Sequence, residues 1–152
     1  MIRHNGPLAG LLAAAVLLTT VSAAQASGRP DAGCSGGGCS GGDPVVYGCA
    51  ADGVGDGWGT GSQPGKPDAT TKGDLGTIEL EWSPGCQAKW AKVINAKPGV
   101  KFYVVNQNGT EEQYQVNPGY DYAWSNMVSG YQQQAEACLY ITGVGAYCTR
   151  WL

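Results

Sequence analysis

The stretch "VKFYVVNQNGTEEQYQV" (residues 100–116) decides the fold class of this chain. Two short runs, Val100 to Val105 and Glu112 to Val116, flank the dipeptide Asn108-Gly109. Asn-Gly in this position is the strongest short signal for a β-hairpin, because both residues tolerate the positive φ of a tight turn. Asn108-Gly109-Thr110 also fits a glycosylation sequon, but we interpret the asparagine as a turn residue.

The segment "LGTIELEWS" (residues 75–83) predicts another strand before the hairpin. Ile78, Leu80 and Trp82 alternate with two glutamates, which is the pattern of a half-buried strand with its acids outward. "QAKWAKVIN" (residues 87–95) suits a helix or a strand, and we favour a short strand because its neighbours are strands. Further strands are predicted in "YDYAWSNMV" (120–128), "EACLYIT" (136–142) and "AYCTRWL" (146–152).

Six or seven short strands separated by Gly, Pro and Asn turns predict an all-β fold. The expected architecture is a small disulfide-stabilised β-sandwich or barrel with a flexible N-terminal arm. The predicted core comprises Trp82, Trp90, Trp124, Ile78, Leu80, Phe102, Val104, Val116 and Leu139.

The first 26 residues have the features of a secretory signal peptide. Arg3 and His4 give a basic start, a short apolar run follows, and "AQA" (24–26) is a small-x-small cleavage site. We therefore expect a secreted, extracellular protein. Without Arg3, eight basic and twelve acidic residues remain, a net charge of −4. This balance argues against nucleic acid or an anionic membrane as the partner.

All six cysteines follow the predicted signal, and an even count in an exported chain indicates three disulfides. We predict the pairs Cys34–Cys39, Cys49–Cys86 and Cys138–Cys148, two of which are local. A zinc site is the alternative, and we disfavour it because the chain has no C-x-x-C pair and no histidine after the signal.

The only histidine, His4, lies in the predicted signal. The mature chain then has no Ser–His or Cys–His nucleophile pair and no histidine metal ligand. We therefore expect no enzyme activity, no cofactor and no metal. A glycosidase pair among Glu79, Glu81, Glu111 and Glu112 is conceivable, but we expect all four to be solvated surface charges.

Two regions are poor in apolar side chains, the arm Ser27 to Gly42 and the loop Ala50 to Asp74. Asp52 and Asp56 loosely resemble a calcium loop, although the alternate ligand positions are missing. The loop could instead present its aspartates to a basic cleft, with Trp58 as the anchor. The chain's aromatic residues could also form a sugar-binding platform, a lesser alternative because core packing explains their alternation.

Several motifs resemble a family of small secreted bacterial proteins that is described as a domain of unknown function. The matching residues are the head "CSGGGCSGGDP" (34–44), the following "YGC" (47–49), "IELEWSPGCQAKWAKV" (78–93) and two late cysteines. The resemblance covers essentially Gly33 to Thr149. Members of that family resemble the small adaptor subunit of umbrella toxin particles, which are secreted antibacterial assemblies.

The resemblance implies a non-enzymatic adaptor with three segments: a signal (1–26), a Gly/Cys-rich strap (27–44) and a β-rich domain (45–152). The strap would become ordered on a large repeat-containing toxin subunit, and the domain would carry a lectin-like, trypsin-fold subunit. The implied partner-binding residues are Gly36, Gly37, Gly38, Asp43, Pro44, Asp52, Asp56 and Trp58. The alternatives are a secreted protease inhibitor or a carbohydrate-binding module.

Overall fold

The computed structural model describes residues 33–51, 53–55 and 68–152, so the predicted signal and the first residues of the strap lie outside it. Within the described residues the regular structure consists of β-strands and short 3-10 turns, and the all-β prediction is confirmed. No helix in this part of the chain is long and apolar enough to cross a membrane. The strands are β1 (Val54–Gly55), β2 (Asp68–Thr71), β3 (Thr77–Ser83), β4 (Ala88–Ile94), β5 (Lys101–Asn106), β6 (Glu111–Gln115), β7 (Ala123–Trp124), β8 (Val128–Ser129), β9 (Ala135–Ile141) and β10 (Gly145–Cys148).

The first sheet is built around the antiparallel pair β3 and β4, which are in register from Thr77↔Ile94 to Ser83↔Ala88. The strands β1 and β2 both pair with the free edge of β3, and β7 and β8 both pair with the free edge of β4. Strand formation by "QAKWAKVIN" is thereby confirmed. The expectation of an unbroken loop from residue 50 to 74 is wrong, because β1 and β2 add to an edge that β3 leaves open.

The second sheet has the strand order β10-β9-β5-β6 and is antiparallel throughout. The predicted hairpin joins β5 to β6, with Gly109 at a φ of 78°. The side-chain oxygen of Asn106 accepts the backbone N–H groups of Asn108 and Thr110 at 3.1 and 3.0 Å. These bonds fix the turn and with it the register of the two strands.

The two sheets face each other and enclose one apolar core. The predicted core residues Ile78, Leu80, Phe102, Val104, Val116 and Leu139 are all buried there. The prediction for the tryptophans is wrong in two cases, because Trp82 and Trp124 are only half-buried. Trp82 lies at the rim of the sandwich, where the ammonium of Lys89 is 5.5 Å from its ring centre.

The structure joins the six cysteines in the three predicted pairs. Cys138 and Cys148 face each other across β9 and β10. The other two disulfides lie outside the sandwich, in a second buried cluster with Ala88, Trp90 and Met127. This cluster forms beneath residues 33–51, which we call the head segment.

Backbone hydrogen bonds hold the head segment on the first sheet. The Gly36 N–H donates to the Cys86 carbonyl at 2.7 Å, and Gly41 and Gly42 exchange two bonds of 2.9 Å with Met127. Residues 33–44 are therefore ordered by the domain itself. The expectation that the strap becomes ordered only on a partner is wrong for these residues, since their polar groups already have partners within the chain.

Candidate functional site

Asp43 fixes the most exposed apolar part of the head segment. Its Oδ1 accepts the backbone N–H groups of Val45 and Val46 at 2.7 and 3.2 Å, and its Oδ2 accepts the indole N–H of Trp124 at 3.3 Å. A carboxylate that accepts the first amides of a turn acts as a cap. Asp43, which we predicted to bind a partner, therefore anchors residues 44–48, here called the head turn, to β7.

The head turn presents two adjacent valines to solvent. Val45 is 56% and Val46 80% exposed, and Tyr47 is 37% exposed. Its backbone is closed by bonds from Tyr47 N–H to the Asp43 carbonyl and from Gly48 N–H to the Val45 carbonyl, both 3.1 Å. Pro44, another predicted contact residue, is fully buried beneath them. The exposed apolar surface is thus held in one conformation before any partner binds.

The three glycines of the predicted strap have different environments. Gly36 is buried at a φ of 52°, and a Cβ there would lie 3.4 Å from the Cβ of Tyr131. Gly37 and Gly38 are exposed, and a Cβ at either position would meet nothing within 4 Å. A contact between Gly37, Gly38 and a partner remains a prediction. For Gly36 the structure gives an internal role, since it packs against the domain.

Asp52, Asp56 and Trp58, the acidic-loop residues with a predicted role, lie outside the described residues. The ends of that loop are placed. Gly55 in β1 pairs with Glu81, and Asp68 in β2 pairs with Leu80, so both ends lie beside consecutive residues of β3. The loop therefore leaves and rejoins the sheet at one place on its edge.

Glu79 and Glu81 are buried, so the expectation that they are solvated surface charges is wrong for this pair. The Lys92 Nζ lies 3.2 Å from an oxygen of Glu79 and 3.5 Å from one of Glu81. The pairing is possible because Glu79 and Glu81 share one face of β3 and Lys92 lies opposite Glu79 on β4. The alternation in β3 correctly predicted that the glutamates and the apolar residues lie on opposite faces of the strand. It gave no information about which segment covers the face with the glutamates.

A cavity of about 280 Å³ borders Glu81, Lys92 and the rings of Trp90 and Trp124, with the head segment along its other side. Burial raises the pKa of Glu81 despite the nearby lysine, and Glu79 adds to the rise. Burial opposes the charge on Lys92, but the two carboxylates together raise its pKa. One ammonium thus faces two carboxylates on the outer face of the sheet, and its attraction offsets only part of the cost of burying them.

A second cavity of about 360 Å³ lies on the other side of Trp124 and is lined by aromatic residues. We call it the tyrosine cleft. The Tyr122 and Trp124 rings are nearly parallel, with centres 6.1 Å apart, and Tyr120 meets Tyr122 edge-on at 5.8 Å. Tyr114, Tyr120 and Tyr122 are 41, 54 and 44% exposed. Sequence analysis considered an aromatic platform in general but did not identify this group, because alternation in "YDYAWSNMV" suggested a buried face.

The sulfur atoms of Cys34, Cys39, Cys49 and Cys86 all lie within 4.8 Å of one another. A zinc site would need these four as free thiolates, whereas the structure joins them as two disulfides. The cluster therefore acts here as a covalent clamp on the head segment.

Residues 37–138 match a family described as "Protein of unknown function (DUF2690)", and the chain belongs to that family. The match extends from Gly37 in the head segment to Cys138 in β9, so the end of β9 and β10 lie beyond it. Comparison with curated proteins and with solved structures gave no match.

Proposed function

We propose that this protein is a secreted, non-catalytic adaptor that links protein components of an interbacterial toxin complex. The observation that carries the proposal is the head turn, where Val45 and Val46 are exposed yet fixed by Asp43. A rigid apolar projection loses little conformational entropy on binding and suits a protein pocket. The resemblance to umbrella toxin adaptors suggests the kind of complex.

The secreted character of the proposal is supported by the signal-like residues 1–26 and by the disulfides. Disulfides are typical of chains that fold in an oxidising compartment. The non-catalytic character is supported by the lack of any histidine after residue 26 and by the ion pairing of Glu79 and Glu81.

The protease-inhibitor alternative gains no support from the head turn. Residues 44–48 form a closed turn with bonds back to Asp43 and Val45. An extended segment that pairs its backbone with an enzyme needs these amides and carbonyls free.

The acidic loop with Asp52, Asp56 and Trp58 stays the proposed contact to a trypsin-fold subunit, and alanine at all three positions is expected to weaken that contact.

The test is a native pull-down from the producer's culture fluid. The tag follows Leu152 on a flexible linker, because Leu152 packs against the core and pairs with Ala135. We expect a large repeat-containing toxin subunit and a lectin-like protein to co-purify. A chain recovered as a lone monomer would overturn the adaptor function.

Val46→Asp tests the head turn, with Val144→Asp as the matched control. Val46 is 80% and Val144 81% exposed, and Val144 lies in the turn between β9 and β10. A charge in an apolar interface should weaken binding at least as much as the loss of one hot-spot side chain. Recovery of one partner in the pull-down should therefore fall about tenfold or more. The control should bind normally. Equal recovery with both variants would exclude the head turn as the docking surface.

The strap is tested separately by deleting residues 27–32 alone. Removing residues 33–42 as well would take away the backbone bonds to Cys86 and Met127 and unfold the head segment. The short deletion leaves those bonds intact. Loss of the toxin subunit from the pull-down would assign strap binding to residues 27–32, and unchanged recovery would contradict it.

A further inference from the structure

We infer that the tyrosine cleft binds a neutral carbohydrate, one or two pyranose units of an oligosaccharide. The site is separate from the exposed side chains of the head turn, so the inference does not depend on the adaptor function. It rests on the aromatic lining, on the exposed amide side chains beside the rings and on the lack of a cation among the described residues that line the cleft.

The aromatic rings offer the apolar part of such a site. Three tyrosines, each about half exposed, line one cleft together with Trp124. A pyranose ring has one face of C–H groups, which carry a slight positive charge and pack well on the negative face of an aromatic ring. Tyr122, between Tyr120 and Trp124, is the central ring of the group.

The polar groups beside these rings are free. Among the described residues, no hydrogen bond is made by the side-chain amides of Gln115 and Asn117 or by the hydroxyls of the three tyrosines. Each amide offers two donors and an acceptor, which matches the donor and acceptor capacity of sugar hydroxyls. A cavity near the lower end of the small-ligand size range, with mostly aromatic walls and a few polar groups, suits a sugar of this size.

The charges in the cleft disfavour an anionic ligand. Among the described residues of the lining, Asp43 is the one carboxylate and there is no lysine or arginine. Both oxygens of Asp43 already accept hydrogen bonds from within the chain, so this acid is not free to pair with a cationic ligand. A sugar with a carboxylate or phosphate would meet this acid without a compensating cation. Neutral pyranosides avoid that repulsion.

A proline-rich peptide is the other ligand that aromatic grooves receive. The backbone carbonyls of a bound peptide need hydrogen-bond donors. Here the Trp124 N–H already donates to Asp43, which in turn holds the head turn. The observations therefore favour the sugar.

The cleft is also preformed. The Ser125 N–H donates to the Ala91 carbonyl and the Ala96 N–H to the Asp121 carbonyl, both at 2.9 Å, and they fix the segment on both sides of Tyr122. Gly119, at a φ of 88°, turns the chain from Asn117 to Tyr120. Because the rings are already held in place, binding carries little entropic cost for ordering them. This is important for a ligand that makes few contacts.

The experiment is a titration of the secreted chain, followed by amide NMR, with cellotetraose and with N,N′,N″,N‴-tetraacetylchitotetraose as the probes. We expect at least one probe to shift the signals of residues 114–124 at millimolar concentration. Tyr122→Ala should weaken that probe about tenfold, the size of one lost aromatic contact. Tyr120→Ala should weaken it less, since Tyr120 meets Tyr122 only edge-on.

Tyr140→Ala is the matched control, because Tyr140 is 50% exposed and lies on the other sheet. It should bind the probe normally, and the spectrum of each variant also reports its folding. Failure of both probes, binding that Tyr122→Ala leaves unchanged, or shifts outside the cleft would overturn the inference. Shifts with decaproline and not with the sugars would overturn it in favour of a peptide.

Discussion

The space between the two sheets and the space under the head segment are both closed to water, yet different side chains fill them. Phe102, Leu80 and Leu139 dominate the first. Two disulfides, Trp90 and Met127 fill the second. The first is held by burial of apolar area and the second by cross-links and backbone hydrogen bonds.

The difference between these two buried spaces shows how a glycine-rich segment can become part of a domain. The head segment has few apolar side chains to bury, so burial alone could not offset the cost of ordering it. Cys49–Cys86 shortens the unfolded chain, and the bonds to Cys86 and Met127 then satisfy its polar groups. A hydrophobic core and a cross-linked core thus coexist in one small protein.

The largest expected effect is on the core between the sheets. Phe102→Ala should lower the free energy of unfolding by about 3–5 kcal/mol, because it removes a fully buried ring and leaves a cavity. Urea unfolding measures it. Tyr103→Ala is the control, since Tyr103 lies next to it on the outer face of β5 and is only half-buried. Equal losses of unfolding free energy in the two variants would contradict the placement of Phe102 in the core and of Tyr103 on the outer face of β5.

An effect of similar size is expected from removing Cys49–Cys86 by the double change Cys49→Ala and Cys86→Ala. The loss is about 4 kcal/mol in the chain-entropy model. Hydrogen exchange should show the head amides, such as Gly36 and Gly41, opening before those of the sheet core. The acceptors of these amides, the carbonyls of Cys86 and Met127, belong to residues of the cross-linked cluster.

Removal of Cys138–Cys148 is the matched control for that experiment. It closes a shorter loop and should cost about 3 kcal/mol while leaving exchange in the head segment unchanged relative to the core. If the head amides stay protected without Cys49–Cys86, the head segment is held by hydrogen bonds alone and the contrast between the two cores disappears.

The smallest effect is expected from the ion pairs that lie beside the head segment. Burial raises the pKa of Glu81, so the folded state holds its proton more tightly than the unfolded state. That contribution to stability is present at acid pH and is lost as the pH rises through the raised pKa. The stability of the natural protein should therefore fall relative to Glu81→Gln between acid and neutral pH. Thermal unfolding across that range measures it, and a constant difference would contradict the direction of the shift.

The sequence predicted the sandwich well because its signals are local. The Asn108-Gly109 turn, the alternation in β3 and the short spacings of two cysteine pairs each depend on neighbouring residues. The prediction failed where remote segments meet. Nothing local in "CSGGGC" shows that Gly36 bonds to Cys86, or that Lys92 pairs with acids on another strand.

In the candidate site, too, local sequence identifies some residues, and only the fold brings the others together. Asp43 and Pro44 were predicted to bind a partner, and the structure gives both of them internal contacts, so a partner contact by either stays a prediction. The sequence raised an aromatic platform only in general terms, because the rings of the tyrosine cleft come from β6, β7 and the turn before β7, and only the fold places them together.

The contact between two disulfides has a consequence for how the chain responds to reduction. The Cys34 and Cys49 sulfurs, which belong to different bridges, are 3.8 Å apart. A thiolate left by reduction of one bridge would lie within reach of the other, so the pair can exchange partners through a mixed intermediate. Partial reduction of the folded chain should therefore yield exchanged pairings among Cys34, Cys39, Cys49 and Cys86, while Cys138–Cys148 stays as it is.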